Sequence, residues 1–439
     1  MSENNSLFKN FKAVSDEEWR QKVIEDLKGK DFSETLVWKD ENKIEHHPYY
    51  RKSDLEGKDE IKALENNQFK NHSWRFIQQF SSSTENLEKE IQQAKNSGVD
   101  EAVVNDFKSY KKSKALFSKS PKEIPNLHFY LSEIDHDAST KIIFCDPIGE
   151  MVKSNETNTS EIESLTILFQ KRLNQLKPDN FLLINGSLYK NAGATIVDEL
   201  ALTLHHAVEY LDQLTDAGYR ADAIARSFTF KLGFGTSYFS EIAKARAFRY
   251  LIQKVYHAYE VESKVRVWGE ASSYYHSHKD PYNNLIRSTT QCMSAVIGNC
   301  DLISLPAFDQ WEKASNLGNR MAKNISLILK EESYFNKIED LASGSYYIEA
   351  LSNEIAHKAW EKFLSIEKEG GLLKLIANGT LKKILDASAT ERAKAYRQNK
   401  RTIVGANKFV NEAATDLKIA NSKDIGIAAK LLSKDMLEE

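Results

Sequence analysis

Asn180–Thr195 reads NFLLINGSLYKNAGAT, and this stretch decides the fold. Phe181 to Ile184 is an apolar run of strand length, Gly186 lies in the loop that follows, and a helical pattern opens near Ala194. A buried strand feeding a helix through a short loop is one unit of a parallel α/β sheet. In a (β/α)8 barrel the groups that do chemistry sit on such loops, at the C-terminal ends of strands. Here the loop carries Ser187, Leu188, Lys190 and Asn191, with no histidine, carboxylate or cysteine. The expectation is an enzyme scaffold whose own site has been vacated, and whose role lies with a partner.

Working outward from this unit, eight segments read as strands. They are Arg75–Phe80, Glu101–Val104, Leu127–Leu131, Lys141–Phe144, Phe181–Ile184, Ser227–Phe230, Lys264–Trp268 and Asp301–Ser304. Helical patterns separate most of them: Glu85–Lys95, Glu161–Leu176, Thr195–Ala217 and Ser237–Tyr259. In the third of these, Val197, Leu200, Leu204, Val208 and Leu211 recur three and four apart, a stripe that should face the sheet. Repeated βα units with right-handed crossovers predict a parallel sheet, and eight of them predict a closed TIM barrel.

The barrel is expected over residues 61–408. Residues 1–60 read as an N-terminal extension arm. In the arm, Ser15 and Glu18 form a capping-box pattern ahead of Trp19, Val23, Ile24 and Leu27, and Gly29 marks the stop. The short aromatic segments Glu34–Trp38 and Lys43–Tyr50 follow. Such an arm is expected to lie on its own barrel or on a partner. After the eighth strand, helices are expected over Trp311–Leu329, Tyr346–Glu369, Leu373–Ala377 and Glu391–Arg397. Residues 409–439 should form a helical tail.

Composition narrows the function classes. The 439 residues are 41% hydrophobic and 28% charged, as in ordinary globular proteins. A net charge of −3 leaves no electrostatic footprint for nucleic acid. No apolar run reaches the ~20 residues of a membrane span, and residues 1–19 have no signal-peptide core, so a cytoplasmic protein is expected. Cys145, Cys292 and Cys300 are scattered and odd in number, which argues for reduced buried thiols.

Few constellations could carry chemistry. His276 and His278 form an HxH with Asp280 nearby, a pattern that can chelate a metal in a hydrolase. The pair lies past its strand, and no further ligand cluster faces it, so packing is the competing reading. The adjacent pairs His46–His47 and His205–His206 cannot easily place both rings on one ion. Gly233-Phe234-Gly235 before a helix could hold an anion on backbone amides, but Tyr238 stands where the last glycine of a GxGxxG would be. No GxSxG, P-loop or HExxH occurs.

Six blocks together resemble the barrel of methylmalonyl-CoA mutases: VSDEEWRQKVIEDLKGKDFSETLVW, NGSLYKNAGAT, FTFKLGFGTSYFSEIAKARAFRYL, DPYNNLIRSTTQCMSAVIG, GSYYIEALSNEIAHKAW and RTIVGANKF. The resemblance covers roughly residues 10–60 and 175–410. It implies an adenosylcobalamin-dependent radical interconversion of methylmalonyl-CoA and succinyl-CoA, with the protein supplying binding and orientation.

The departures from the family pattern are as informative as the matches. Catalytic chains resemble SGYHMQEAGAT where this chain has NGSLYKNAGAT. Ser187 therefore stands at the tyrosine position, Leu188 at the histidine and Asn191 at the glutamate. Leucine donates no hydrogen bond, and loss of a positioned acid–base group costs ~10²–10⁴ in rate. RTHSQTSGW becomes RVWGEASSY, which retains Arg266 but puts Trp268 at the histidine, Glu270 at the glutamine and Ala271 at the threonine. After the eighth strand, Ser304 replaces a histidine and Gln310 a glutamate. None of the eleven histidines has an aspartate two residues before it, so the family's cobalt-holding DxHxxG is missing. The resemblance implies a small, non-catalytic subunit without bound cofactor, partnered by a large catalytic subunit that carries adenosylcobalamin. The alternatives are a stand-alone acyl-CoA-binding barrel and, more remotely, an HxH metal hydrolase.

Overall fold

In the computed structural model the described residues are 14–56, 73–107, 127–131, 143–175, 180–419 and 429–436. They form two compact units, divided between Arg51 and Lys52.

In the first unit, Ser15 caps the helix Asp16–Asp26 and closes the expected capping box with Glu18. Leu27 is the C-cap, and Gly29 follows with a positive φ. The short aromatic segment Glu34–Trp38 overlaps a short helix, Phe32–Leu36, which Asp31 caps by accepting from the Glu34 amide. Trp38–Lys39 pairs antiparallel with Glu45–His46. His46 is buried, stacks on Trp38 at 4.0 Å and lies 3.4 Å from Asp40. The helix Asp16–Asp26 itself buries no residue, and Val14, Ile24, Trp38 and Tyr49 are exposed.

The second unit is a closed parallel barrel. Its strands are β1 (Arg75–Ser81), β2 (Glu101–Phe107), β3 (Leu127–Leu131), β4 (Ile143–Cys145), β5 (Leu182–Asn185), β6 (Phe228–Phe234), β7 (Val267–Ala271) and β8 (Leu302–Ser304). Neighbours in sequence pair around the ring, and β8 returns to β1 through Leu302↔Arg75 and Ile303↔Phe76. All eight expected strands exist, displaced by a few residues. The first two residues expected in the fourth, 141 and 142, lie outside the described residues.

The surrounding helices are α1 (Leu87–Asn96), α2 (Pro147–Ser154), α3 (Thr159–Gln175), α4 (Ser187–Asn191), α5 (Ile196–Asp216), α6 (Ala221–Ser227), α7 (Tyr238–Ala258), α8 (Asn283–Ile297), α9 (Asn316–Leu327), α10 (Tyr346–Glu369), α11 (Gly371–Ala377) and α12 (Thr380–Arg397). Thr195 caps α5 by accepting from the Asp198 amide. The stripe expected on α5 is too narrow. Leu200, Leu204 and Leu211 are buried as expected, but so are Glu199, His205 and His206. The outer face of α5 is covered by α10, where the Phe363 carbonyl lies 2.9 Å from His205 Nε2.

Inward-facing residues stack in layers, as barrels of this kind require. The middle layer is apolar: Ile77, Val103, Tyr130, Phe144, Leu183, Trp268 and Leu302 form one buried cluster. Below it, near the strands' N-terminal ends, Glu101 is ringed by His128 (2.8 Å), Arg75 (2.6 Å) and Arg266 (3.5 Å). Burial alone would push the Glu101 carboxyl up, but the His128 and arginine neighbours hold it below the usual carboxylate range.

The helical tail is a correction. Residues 411–419 are turns and irregular chain, residues 420–428 lie outside the described set, and among the described residues of the tail helix is confined to Leu432–Asp435. The chain here is held by tertiary bonds instead. The Leu417 amide donates to the His278 carbonyl, and the Lys430 amide to the Asn191 carbonyl, each at 2.8 Å. Leu432 and Met436 pack with Tyr274, Tyr275, Tyr396 and Ile403.

Candidate functional site

The top interior layer, near the C-terminal ends of the strands, is polar and closed upon itself. Lys231 on β6 reaches Glu270 on β7 at 2.6 Å. Glu270 also accepts from Gln79 Nε2 on β1 at 2.7 Å and stands 2.9 Å from the Ser187 hydroxyl. Ser187 lies 2.8 Å from Asn185 Oδ1, and Asn105 donates to Gln79 Oε1 at 3.2 Å. Burial would raise the Glu270 carboxyl, but the Lys231 ammonium and the hydrogen bonds from Lys231, Gln79 and Ser187 hold it below the ordinary range. The Lys231 ammonium also sits 4.5 Å above the Trp268 ring, and the Trp268 indole donates to Ser304 Oγ at 2.7 Å.

The structure thus brings together three of the six positions expected to be vacated: Ser187, Trp268 and Ser304, joined through Glu270 and Gln79. Trp268 is fully buried and fills the barrel axis where the family pattern has a histidine. The other three stand apart. Leu188 is half-buried on α4, and Gln310 is half-buried in the turn after β8. Asn191 accepts from the Ser272 hydroxyl at 2.7 Å. The retained Arg266 is at the opposite end of the barrel, with Glu101.

Sequence reading missed Gln79, Asn105 and Lys231. The available signal was the lysine inside FTFKLGF: a charge in an apolar strand must face a partner, here Glu270. It was missed because the strand was ended at Phe230, whereas β6 continues to Phe234.

Behind α4 lies a second, fully buried charge cluster. Lys244 sits 2.9 Å from Glu199 and also bonds Glu241, while Lys190 is 3.2 Å from Glu241. Glu199 accepts from the Gly233 amide at 2.6 Å, and Lys244 donates to the Gly233 carbonyl. Burial raises the Glu199 carboxyl. Glu241 is held below the usual range by Lys190 and Lys244, against its own burial. The glycine loop is therefore braced by a side-chain carboxylate at the Gly233 amide, and its glycines are required by close approach: a Cβ would stand 2.8 Å from Lys190 Cβ at Gly233 and 2.7 Å from Glu241 Oε1 at Gly235.

The HxH does not assemble. His276 Nε2 lies 3.1 Å from Ser288 Oγ, while His278 Nδ1 lies 2.8 Å from Ser433 Oγ. Burial pushes His276 down to about 3. Among the described residues, no three His, Cys, Asp or Glu side chains group to hold a metal. Several buried histidines among the described residues are engaged with carboxylates. His206 bonds Asp146 at 2.8 Å, and His128 bonds Glu101. The three cysteines are buried, with burial pushing the Cys300 thiol up to about 12. Among the described residues, no helix is long and apolar enough to cross a membrane.

Comparison with known proteins sets this geometry in context. The sequence model for methylmalonyl-CoA mutase matches residues 132–432, which extends the resemblance upstream of residue 175. The chain is 28% identical to the methylmalonyl-CoA mutase small subunit of Porphyromonas gingivalis, over 93% of this chain and 72% of that protein. It is 30% identical to the large subunit from the same organism, over 55% of this chain and 34% of that one. It is 34% identical to the methylmalonyl-CoA mutase of Rhizobium meliloti, over 54% of this chain and 34% of that protein. The chain thus spans about a third of the length of the mutases it matches beyond the small subunit. An eight-stranded barrel, the shared blocks and a match over most of its length lead to one conclusion: the chain belongs to the methylmalonyl-CoA mutase family.

Proposed function

We propose that this chain is the small, non-catalytic subunit of a heterodimeric, adenosylcobalamin-dependent methylmalonyl-CoA mutase. On this reading the large subunit carries the cofactor and isomerises methylmalonyl-CoA and succinyl-CoA. The observation that carries the proposal is the barrel axis. The indole of Trp268, tied to Ser304, closes the apolar layer from within, and Lys231 and Glu270 pair with each other directly over it. An acyl-CoA would have to displace these groups and leave a desolvated ion pair unpaired. Leu188 adds no donor at the loop where a catalytic chain has its histidine.

The small-subunit relative, found in an organism that also has a separate large subunit, supports a partner of that kind. The exposed Ile24, Trp38 and Tyr49 give the arm an apolar surface for such a contact. The three buried cysteines are compatible with a reducing, cytoplasmic setting, which is part of this reading.

The test is reconstitution. The chain alone, the large chain alone and their mixture are assayed with adenosylcobalamin and run on size exclusion with light scattering. A one-to-one complex is expected, with turnover only where the large chain is present. Cobalamin-dependent turnover by this chain alone would refute the proposal.

A further inference from the structure

Two stretches distant in sequence, Pro281–Thr290 and Thr402–Val410, meet at one corner of the barrel unit. Arg287 on α8 donates through Nη2 to the Val404 carbonyl and through Nη1 to Asn284 Oδ1 at 2.8 Å. Between the stretches lies a cavity of about 290 Å³, whose lining includes Thr236, Tyr275, Ile286, Arg287, Thr402 and Ile403. The same stretches hold large apolar side chains in solvent: Tyr282 is 61% exposed, Ile286 68% and Phe409 70%, with Val404 and Val410 about half exposed. Several large apolar side chains exposed on two stretches that meet point to an interaction surface, whereas single exposed residues are ordinary.

The charge here is opposite to that of the whole chain. Arg392–Asn411 carries Arg392, Lys394, Arg397, Lys400, Arg401 and Lys408 and no acid, within a protein of net charge −3. Among the described residues, Lys394, Lys400 and Lys408 are exposed and make no ion pair with a carboxylate. Burial lowers the Arg287 guanidinium, and Asp280 offsets only part of that effect. An aromatic and aliphatic centre, an arginine at a cavity and a cationic rim match the composition of protein interfaces. The complement is a surface that is acidic around one apolar anchor.

We propose that this corner is where the mutase large chain docks, through an acidic segment whose apolar side chain enters the cavity beside Arg287. The proposal rests on the small-subunit reading. It is tested by measuring the affinity of this chain for the large chain by calorimetry, at low and high salt. Ile286→Asp and Phe409→Asp each change a solvent-exposed side chain and should leave the thermal midpoint unaltered, yet weaken binding at least tenfold. Lys400→Glu with Lys408→Glu should weaken it and flatten its salt dependence. Ile338→Asp, at another exposed apolar position, should bind like the parent.

If the unmodified chains form no complex, the subunit reading fails and the docking surface with it. If they form one that Ile286→Asp and Phe409→Asp leave within twofold, the docking surface alone fails. Equal losses from Ile338→Asp would also overturn it, as a general effect of added charge.

Discussion

At the scale of single residues, Lys231 and Glu270 define this barrel. Their side chains are 7% and 14% exposed, so each is expensive to leave alone. Lys231→Met should strand the Glu270 carboxylate and cost roughly 3 kcal/mol in urea unfolding. Lys231→Met combined with Glu270→Leu should recover most of that loss, since an apolar pair replaces the ion pair without an orphaned charge. If the double variant is as unstable as the sum of the two singles, the pair is not coupled as the geometry shows. Ser187 and Gln79 would then lose their common acceptor as well, so a small residual cost is expected.

At the scale of elements, α4 and its loop are pinned from several sides. Gly193 has φ +105°, and a Cβ there would stand 2.5 Å from Ala389 Cβ on α12. Arg392 on the same helix donates to the Gly193 carbonyl at 2.9 Å. Gly218, after α5, has φ +88° but open space around it. Gly218→Ala should therefore cost about 1 kcal/mol of backbone strain alone. Gly193→Ala should cost at least about twice that, because α12 must also move; equal midpoints in thermal melts would contradict it.

The contrast shows what sequence can reveal. Strands and helices are local, so the apolar runs and the stop at Gly218 are legible. The helix Tyr346–Glu369 is legible to the residue, with Ser345 as its cap. Three of the positions that depart from the family pattern converge, but the convergence depends on Lys231 and Gln79, which come from strands 152 residues apart. The tail misled because its spaced leucines imitate a helix face, whereas Leu431, Leu432 and Met436 are buried by tertiary packing.

For the whole molecule, buried neutral histidines shape the response to acid. Burial pushes His205 down to about 4 and His276 to about 3, while the unfolded chain titrates near 6.5. Above about 6.5 both states are neutral at these sites and the stability is fully present. As pH falls from there towards 4, the unfolded state takes up protons that the folded state does not. Stability should drop by about 1.4 kcal/mol per pH unit for each group. Glu270, held below its ordinary range, adds to the loss once the pH falls under about 4.3. His276→Asn should remove about one proton from the slope between pH 6.5 and 4; an unchanged slope would show that His276 is not held neutral.

The return of β8 to β1 also has a consequence for synthesis. The seam pairs Leu302 with Arg75 and Ile303 with Phe76. At roughly 5–20 residues per second, a ribosome needs on the order of ten to forty seconds to travel from one side of the seam to the other. Throughout that interval β1 presents an unpaired edge to solvent, the state in which parallel sheets are most open to misassociation. Slower translation lengthens this exposure, so yield of folded chain should depend on elongation rate and chaperone supply.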